Sequence, residues 1–224
     1  MTEQTREPWT AALDALREEF AGVFGPETVE SCLRDSYELL LPASVHGHLP
    51  LLAHRFTRER LRAASRTLAP HSHTDRPPLV LFVCTANSGR SQLAAALLAQ
   101  QGTGMVQVAS AGTRPAHEVQ SEVLPALAEV GVTVGDLFPK PLTEEVVAGA
   151  DVVVTMGCHD TCAVLPGRRY LDWEVTDPAG LDLDGVRAVR DQIADRVTLL
   201  LAELATWGAV PAIGAAEQPV RPRR

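Results

Sequence analysis

The chain has 224 residues, of which 46% are hydrophobic, and a formal net charge of −8, so it can bury an ordinary core in one medium domain or in one domain with a small addition. This acidic balance argues against a nucleic-acid or anionic-membrane partner. The first residues are polar, and no apolar run approaches the roughly 18 residues of a membrane helix. We therefore expect a cytoplasmic protein with neither a secretory signal nor a membrane span.

The first part of the chain is predicted to be helical, because apolar residues recur there at spacings of three and four. Two such stripes consist of Trp9, Leu13, Leu16, Phe20 and Val23, and of Val29, Leu33, Tyr37 and Leu40. A third helix is predicted over residues 50–64, with inward Leu52 and Phe56 and outward Arg58, Arg60 and Arg62. Short helices with brief connections predict a three-helix bundle over residues 1–66.

Residues 67–77 are predicted to be a linker, since they contain prolines and histidines and show no apolar periodicity. Two close histidine pairs stand between predicted elements: His46 with His48 before the third helix, and His71 with His73 in the linker. No further ligand follows them at a recognisable spacing, so we expect loop histidines and no metal site.

From residue 78 onward, runs typical of strands alternate with helical patterns. Strands are predicted over 79–84, 106–110, 151–156 and 169–173, a turn over 111–113, and helices over 90–101, 118–130, 143–148 and 183–204. This alternation favours an α/β fold over residues 78–207, a four-stranded parallel sheet with helices on both faces, preceded by the small helical bundle. Residues 208–224, rich in proline, alanine and glycine, are predicted to be a disordered tail.

A cysteine and an arginine stand between the first of these strands and the helix that follows, as Cys84-x5-Arg90-Ser91. Backbone N–H groups and the positive end of a helix dipole point into such a loop, where they bind a tetrahedral oxyanion and stabilise a thiolate. The planar guanidinium of Arg90 can donate hydrogen bonds to two oxygens of that anion at once. We interpret Cys84 as a nucleophile. The oxyanion-binding residues are then Thr85, Ala86, Asn87, Ser88, Gly89, Arg90 and Ser91.

Two further elements are expected at the same edge, because ligands bind at the carboxyl ends of parallel strands. Asp177, oriented by Pro178, is a candidate general acid, since thiolate attack on an oxyanion expels an oxygen that needs a proton. Cys158 and Cys162 follow the third strand, and in a helix their Cα atoms would lie about 6 Å apart, within disulfide range. The pair could also be half of a zinc site, but no second cysteine pair completes it, and Cys84 could not serve as a zinc ligand and remain a nucleophile. We therefore favour a redox couple.

Residues 78–206 resemble the low-molecular-weight protein tyrosine phosphatase family, and within it the thioredoxin-coupled arsenate reductases. The resemblance rests on Cys84-x2-Asn87-x2-Arg90-Ser91 after the first strand, on a late Asp177-Pro178, and on a cysteine pair between them. The N-terminal helices are similar to a three-helix extension found on some members. The combination is specific and covers more than half of the chain.

The resemblance implies an arsenate reductase that serves arsenic detoxification. Cys84 would attack arsenic, Arg90 and the loop N–H groups would bind the arsenate oxygens, and Asp177 would protonate the departing hydroxide. Cys158 would then attack Cys84 and release arsenite, and Cys162 would take over Cys158, so that thioredoxin can reduce the outer disulfide. No bound cofactor is implied, because the reducing equivalents come from thioredoxin.

Two loop residues receive supporting roles from the same resemblance: Asn87 would hold the loop in shape, and Ser91 would donate a hydrogen bond to the Cys84 thiolate. The chain also departs from the family. Gly89 stands where many members have a second loop cysteine, and the pair Cys158 and Cys162 is spaced more tightly than in single-domain reductases.

The alternative is a low-molecular-weight protein tyrosine phosphatase that forms a phosphocysteine, because arsenate and phosphate are nearly isosteric. Phosphatases carry aromatic residues after Asp-Pro, however, where Ala179 and Gly180 stand here. A mycothiol-dependent reductase and a non-enzymatic redox or anion sensor are further alternatives. The N-terminal helices could form a homodimer, although no residue singles out that role. Cys32 lies beside the second apolar stripe, and we interpret it as a packing residue.

Overall fold

The computed structural model describes residues 3–42, 48–68, 76–133, 137–158 and 165–207, with side chains from residue 8 onward. Within them the helices are α1 Glu3–Glu19, α2 Pro26–Leu40, α3 Leu49–Ser65, α4 Arg90–Gln101, α5 Val123–Ala128, α6 Glu144–Gly149 and α7 Leu183–Thr206. The strands are β1 Leu79–Cys84, β2 Gln107–Gly112, β3 Val152–Met156 and β4 Arg169–Asp172.

The four strands form one parallel sheet in the order β2-β1-β3-β4. β1 pairs with both neighbours, so that Val80 lies opposite Val108 on one side and Val152 on the other. Every β1 residue is buried, as expected of an apolar run without the alternation of a half-exposed strand. α4, α5 and α7 cover one face, and α6 with the end of α3 covers the other. The predicted four-stranded parallel sheet with helices on both faces is confirmed.

The helices α1, α2 and α3 precede the sheet and pack around a core of their own. Leu16, Leu33 and Phe56 are among its most deeply buried side chains. Trp9 meets Tyr37 edge-on with the ring centroids 5.6 Å apart. The apolar periodicity thus predicted both the presence of these helices and the residues that join them.

Arg60 of α3 contradicts the prediction that it faces outward. It is buried, and its guanidinium donates to Ser36 Oγ at 2.9 Å and forms ion pairs with Asp35, at 2.7 Å, and with Glu145 of α6. The prediction was wrong because α6 covers this side of α3. Periodicity identifies a polar stripe, but it does not show whether another element packs on that stripe.

The end of α3 is fastened to the sheet at a second point. Gly149 of α6 lies so close to the backbone of Ala63 that a Cβ at position 149 would collide with it. Arg66 donates to the Gly149 carbonyl at 2.9 Å and pairs with Asp151. The Asp151 carboxylate in turn accepts from the backbone N of Leu79 at 2.7 Å. Through these contacts α3 joins the first residues of β1 and β3.

Two predicted elements end differently in the structure. The helix predicted over 118–130 forms only as α5, and the residues before it lie along the loop after β1, where the backbone N of Gln120 donates to the carbonyl of Ser88 at 3.0 Å. The turn predicted over 111–113 is also wrong, since β2 continues through Gly112, which pairs with the last residue of β1. Hydrogen bonds to distant segments outweigh local propensity in both places.

Several predicted features lie outside the described residues: His46, His71, His73, Cys162, residues 69–75 of the linker and the tail over 208–224. His48 is exposed and precedes α3. No group of three or more metal-binding side chains occurs in the described part of the chain, and none of its helices is long and apolar enough to cross a membrane. The division into domains and a homodimer through the N-terminal helices stay predictions.

The position of Arg60 predicts a large loss of stability for Arg60→Ala. The substitution leaves Glu145 and Ser36 without their partner, which should lower the free energy of unfolding by about 2 kcal/mol. Urea unfolding measures this change. Arg34→Ala removes an exposed pair with Glu30 and should cost less than about 0.5 kcal/mol. Equal losses in the two variants would contradict a buried role for Arg60.

Candidate active site

A tight loop joins β1 to α4. Cys84 is the last residue of β1 and is 2% exposed, and Arg90 is the first residue of α4. At the centre of the loop Asn87 has a φ of 47°, the one positive φ among the described residues other than glycine. Asparagine adopts this left-handed conformation more readily than most side chains. The reversal turns the chain around the cysteine.

The Cys84 sulfur lies within a set of polar contacts. The backbone N of Asn87 donates to Sγ at 3.2 Å, and Ser91 Oγ lies 3.0 Å from it. Asn87 Nδ2 donates to the same Ser91 oxygen at 2.8 Å, which leaves the hydroxyl proton of Ser91 to point at the sulfur. Such donors bond a charged sulfur more strongly than a neutral one. The arrangement therefore suits a nucleophilic thiolate.

The carbonyls of the loop are held from outside by the segment that follows β2. Three backbone N–H groups of this segment donate to loop carbonyls: Arg114 to Thr85 at 2.8 Å, Ala116 to Ala86 at 2.8 Å, and Gln120 to Ser88 at 3.0 Å. A trans peptide directs its N–H away from its carbonyl, so these peptides turn their N–H groups towards the interior of the loop. Convergent N–H groups of this kind bind tetrahedral oxyanions.

Gly89 allows two other segments to close on the loop. A Cβ at this position would lie 2.6 Å from Pro178 Cγ and 3.0 Å from Gln120 Oε1. Packing at Gly89 thus brings the Asp177–Pro178 segment to the loop. Gln120 Oε1 is buried and has no hydrogen-bond partner among the described residues, so an unused acceptor lies beside the loop.

Arg90 lies between the carboxylate of Asp177 and the end of β3. Arg90 Nη2 is 2.7 Å from Asp177 Oδ2, while Asp177 Oδ1 accepts from the backbone N of Ala179 at 3.1 Å. A Cβ on Gly157 would lie 2.6 Å from Arg90 Nη1, so only glycine lets the guanidinium approach so closely. Arg90 is 11% exposed and the side chain of Asp177 is 53% exposed. The acid therefore sits at the solvent side of the loop.

Cys158 lies two residues beyond β3, on the opposite face of the sheet from Cys84. Its Sγ is 3.7 Å from the carbonyl oxygen of Val83, and it packs in the same cluster as Leu81 and Val83. Cys84 belongs to the cluster of Phe82, on the other face. The structure therefore brings Cys84, Arg90 and Asp177 together and places Cys158 behind them.

Gly157 explains the position of Cys158. Met156, two residues earlier, packs on the face of Cys84, and an unbroken strand would place Cys158 there too. Gly157 has a φ of 71° and ends this alternation. Cys162, the second member of the pair, lies outside the described residues.

Two residues that the sequence did not single out support Asn87. Gln92 is 2% exposed, and its Nε2 donates to the Asn87 carbonyl at 2.9 Å and to the Phe138 carbonyl at 2.8 Å. The backbone N of Lys140 donates to Asn87 Oδ1 at 2.8 Å. The sequence signal for Gln92 was weak, because α4 contains two further glutamines at its end, Gln100 and Gln101. The sequence contains no signal for Lys140, because Lys140 acts through its backbone N–H, which any residue but proline supplies.

Cys32 lies apart from this site, half-buried beside the core of the N-terminal helices. Burial raises the pKa of the Cys32 thiol, although the nearby Arg60 guanidinium opposes that effect. At neutral pH Cys32 is therefore a protonated, slowly reacting thiol. It offers an internal reference for the reactivity of Cys84.

The hydrogen bond between Ser91 and Cys84 predicts that Ser91→Ala slows alkylation of Cys84 by iodoacetamide at neutral pH. Loss of one bond to a charged sulfur should reduce the rate about tenfold. Mass spectrometry of the Cys84 peptide, with the Cys32 peptide as reference, measures the rate. Ser121→Ala removes a surface hydroxyl that bonds Glu122 and should leave the rate unchanged. An unchanged rate in Ser91→Ala would contradict the role of this hydroxyl.

Solved structures and curated sequences of other organisms resemble this chain. The thioredoxin-dependent arsenate reductase of Corynebacterium glutamicum has a TM-score of 0.77 and 36% identity, covering 89% of this chain and 97% of that one. The YwlE arginine phosphatase of Geobacillus stearothermophilus has a TM-score of 0.51 and 27% identity, covering 58% and 94%. The arsenate reductase of Brevibacillus brevis is 32% identical over 121 residues, which are 53% of this chain and 90% of that protein.

Two protein families match successive parts of the chain. Residues 10–65 match the N-terminal domain of protein-tyrosine-phosphatase-like proteins. Residues 79–208 match the low molecular weight phosphotyrosine protein phosphatases, and this match includes the loop after β1 and Asp177. It spans more than half of the chain. The chain therefore belongs to the low molecular weight phosphotyrosine protein phosphatase family.

Proposed function

We propose that this protein is an arsenate reductase, which converts arsenate to arsenite through Cys84 and a disulfide relay of Cys158 and Cys162. The observation that carries the proposal is a second buried thiol next to the loop: Gly157 lies directly against Arg90, and Cys158 follows it with its Sγ 3.7 Å from the carbonyl of Val83, the residue before Cys84. A phosphatase of this architecture needs the oxyanion loop but has no use for a thiol in that place. The similarity to known arsenate reductases supports the same activity.

In the first step the Cys84 thiolate attacks arsenic. An S–As bond forms and an As–O bond breaks, and the departing hydroxide takes a proton from Asp177 and leaves as water. Arg90 exchanges its contact with Asp177 for the oxygens of the bound anion, which frees the carboxyl group to carry that proton. The inward N–H groups of the loop stabilise the negative oxygens throughout.

In the second step the Cys158 thiolate attacks the Cys84 sulfur. The S–S bond forms and the S–As bond breaks, and the electron pair of that bond stays on arsenic, so As(V) becomes As(III) and arsenite leaves. Cys158 must first move from the opposite face of the sheet. Gly157 is the natural hinge, because its backbone adopts both signs of φ at little cost.

In the third step Cys162 attacks the Cys158 sulfur, which forms a Cys158–Cys162 disulfide and releases the Cys84 thiolate. Thioredoxin, a dithiol reductant, then reduces this disulfide by exchange. The cycle thus needs arsenate, thioredoxin and no bound cofactor. It also requires a compartment in which thiols stay reduced, which supports a cytoplasmic location.

A phosphatase is the second candidate function, and the loop itself favours it as much as it favours a reductase. Cys84, Arg90 and Asp177 contain all that a phosphocysteine mechanism requires. Small residues follow the Asp-Pro step, Ala179 and Gly180, so no aromatic side chain stands there to stack on a phosphotyrosine ring. A mycothiol-dependent reductase would use the loop and Cys84 without the relay.

The relay predicts different outcomes for the cysteine variants in an assay of arsenate-dependent NADPH consumption with thioredoxin and thioredoxin reductase. Cys84→Ser should abolish turnover, because no S–As bond can form. Cys158→Ser and Cys162→Ser should each reduce thioredoxin-coupled turnover at least about a hundredfold, since each breaks the path of electrons. Cys32→Ser is the matched control and should retain wild-type turnover.

Other results would assign a different function. Full thioredoxin-coupled turnover in Cys158→Ser and Cys162→Ser would contradict the relay. Turnover that depends on Cys84 but requires mycothiol would identify the simpler reductase. Hydrolysis of aryl phosphates without arsenate reduction would identify a phosphatase.

A further inference from the structure

The residues before α6 lie between the N-terminal helices and the oxyanion loop. Leu137 packs against the core formed by the sheet with α4 and α7, whereas the next residue, Phe138, is buried in the core of α1, α2 and α3. Phe138 is 8% exposed. Two adjacent side chains therefore insert into two different cores, and the backbone between them is held from both sides.

This bridging segment is bonded directly to the loop. The Phe138 carbonyl accepts from Gln92 Nε2 at 2.8 Å, and the same Nε2 donates to the carbonyl and to Oδ1 of Asn87 at 2.9 and 3.2 Å. The backbone N of Lys140 donates to Asn87 Oδ1 at 2.8 Å. The side chain of Asn87 and its left-handed backbone are thus both fixed by groups whose positions depend on residues 137–140.

The side chain of Lys140 adds a second attachment to the N-terminal helices. Lys140 Nζ is 2.7 Å from Glu59 Oε2 of α3, with side chains only 12% and 24% exposed. The same ammonium group lies 5.2 Å from the centroid of the Phe138 ring, within the range of a cation–π contact. Both anchors of this segment, one apolar and one ionic, therefore lie in the helical bundle.

The other segment that holds the loop also touches the bundle. His117 lies between Ala116 and Gln120, whose N–H groups bond the loop carbonyls. Its Nδ1 is hydrogen-bonded to the carbonyl of Pro42, just beyond α2. The N-terminal part of the chain consequently contacts both segments that support the loop.

We propose that the N-terminal helical bundle positions the oxyanion loop, with Phe138, Lys140 and Glu59 as positioning residues that act through Asn87. The inference rests on the proposed function only in taking the loop as the oxyanion site. Asn87 in turn donates to the Cys84 sulfur and to Ser91. Displacement of residues 137–140 must therefore weaken anion binding and slow the reactions of Cys84.

Three variants test this inference in the full-length chain, with inorganic phosphate as the probe. Phe138→Ala removes the apolar anchor and should raise the Kd for phosphate about tenfold, with a similar fall in the alkylation rate of Cys84. Glu59→Gln removes only the ionic anchor at the edge of the bundle, so it should fold normally and raise the Kd about threefold. Phe138→Leu refills the anchor site and should restore most of the affinity.

Matched controls separate positioning from loss of stability. Leu13→Ala truncates a side chain of the same core in α1, and it should lower Tm while the Kd for phosphate changes less than about twofold. Glu30→Gln removes two more exposed ion pairs within the bundle, those with Arg17 and Arg34, and should leave both the Kd and the alkylation rate unchanged.

Three outcomes would overturn the inference. A wild-type Kd and a wild-type alkylation rate in both Phe138→Ala and Glu59→Gln, whatever their Tm, would show that the bundle does not position the loop. Equal loss of phosphate affinity in Leu13→Ala and Phe138→Ala would show that the affinity falls because the bundle is less stable, and not because Phe138 positions the loop. A wild-type chain that binds neither phosphate nor arsenate would contradict the assignment of the loop itself, and the proposed function with it.

Discussion

The left-handed backbone of Asn87 is the constraint on which the geometry of the loop depends. A φ of 47° costs a residue with a side chain on the order of 1 kcal/mol, and it persists only where surrounding contacts enforce it. Gln92 and Lys140 supply those contacts from two separate segments. In return, Asn87 directs its backbone N–H to Cys84 and its amide to Ser91. One strained residue thus connects the packing of the chain to the sulfur that reacts.

The sheet separates the two described thiols of the proposed relay. Cys84 and Cys158 belong to clusters on opposite faces, so the proposed relay requires Cys158 to move before it can attack Cys84. Gly157 stands between these environments, with Arg90 against its Cα.

Much of the fold followed from local pattern. The bounds of β1 and α4 agree with the prediction, because a continuous apolar run gives way to strong helix formers within a few residues. The predicted length of the helix over 118–130 and the predicted exposure of Arg60 were wrong. In both places the residues form hydrogen bonds or ion pairs with distant segments of the chain. The periodicity of a stretch of sequence predicts its apolar and polar faces, but it does not predict which other element packs against them.

For the site, the sequence by itself determined the chemistry: a cysteine, an arginine and an aspartate whose spacing after strands predicts a thiolate, an anion grip and a proton donor. These roles could be predicted because the end of a strand and the start of a helix are local features of the sequence. Ligands bind at the carboxyl ends of parallel strands, so the side chains that follow the strands lie at one site. Only the tertiary structure decided which supports hold the loop, since Phe138 and Lys140 lie about fifty residues from Asn87 and act largely through backbone atoms. It also decided the face on which Cys158 lies, because glycine adopts either sign of φ and only the folded chain shows that Gly157 has a φ of 71°, which ends the alternation of β3.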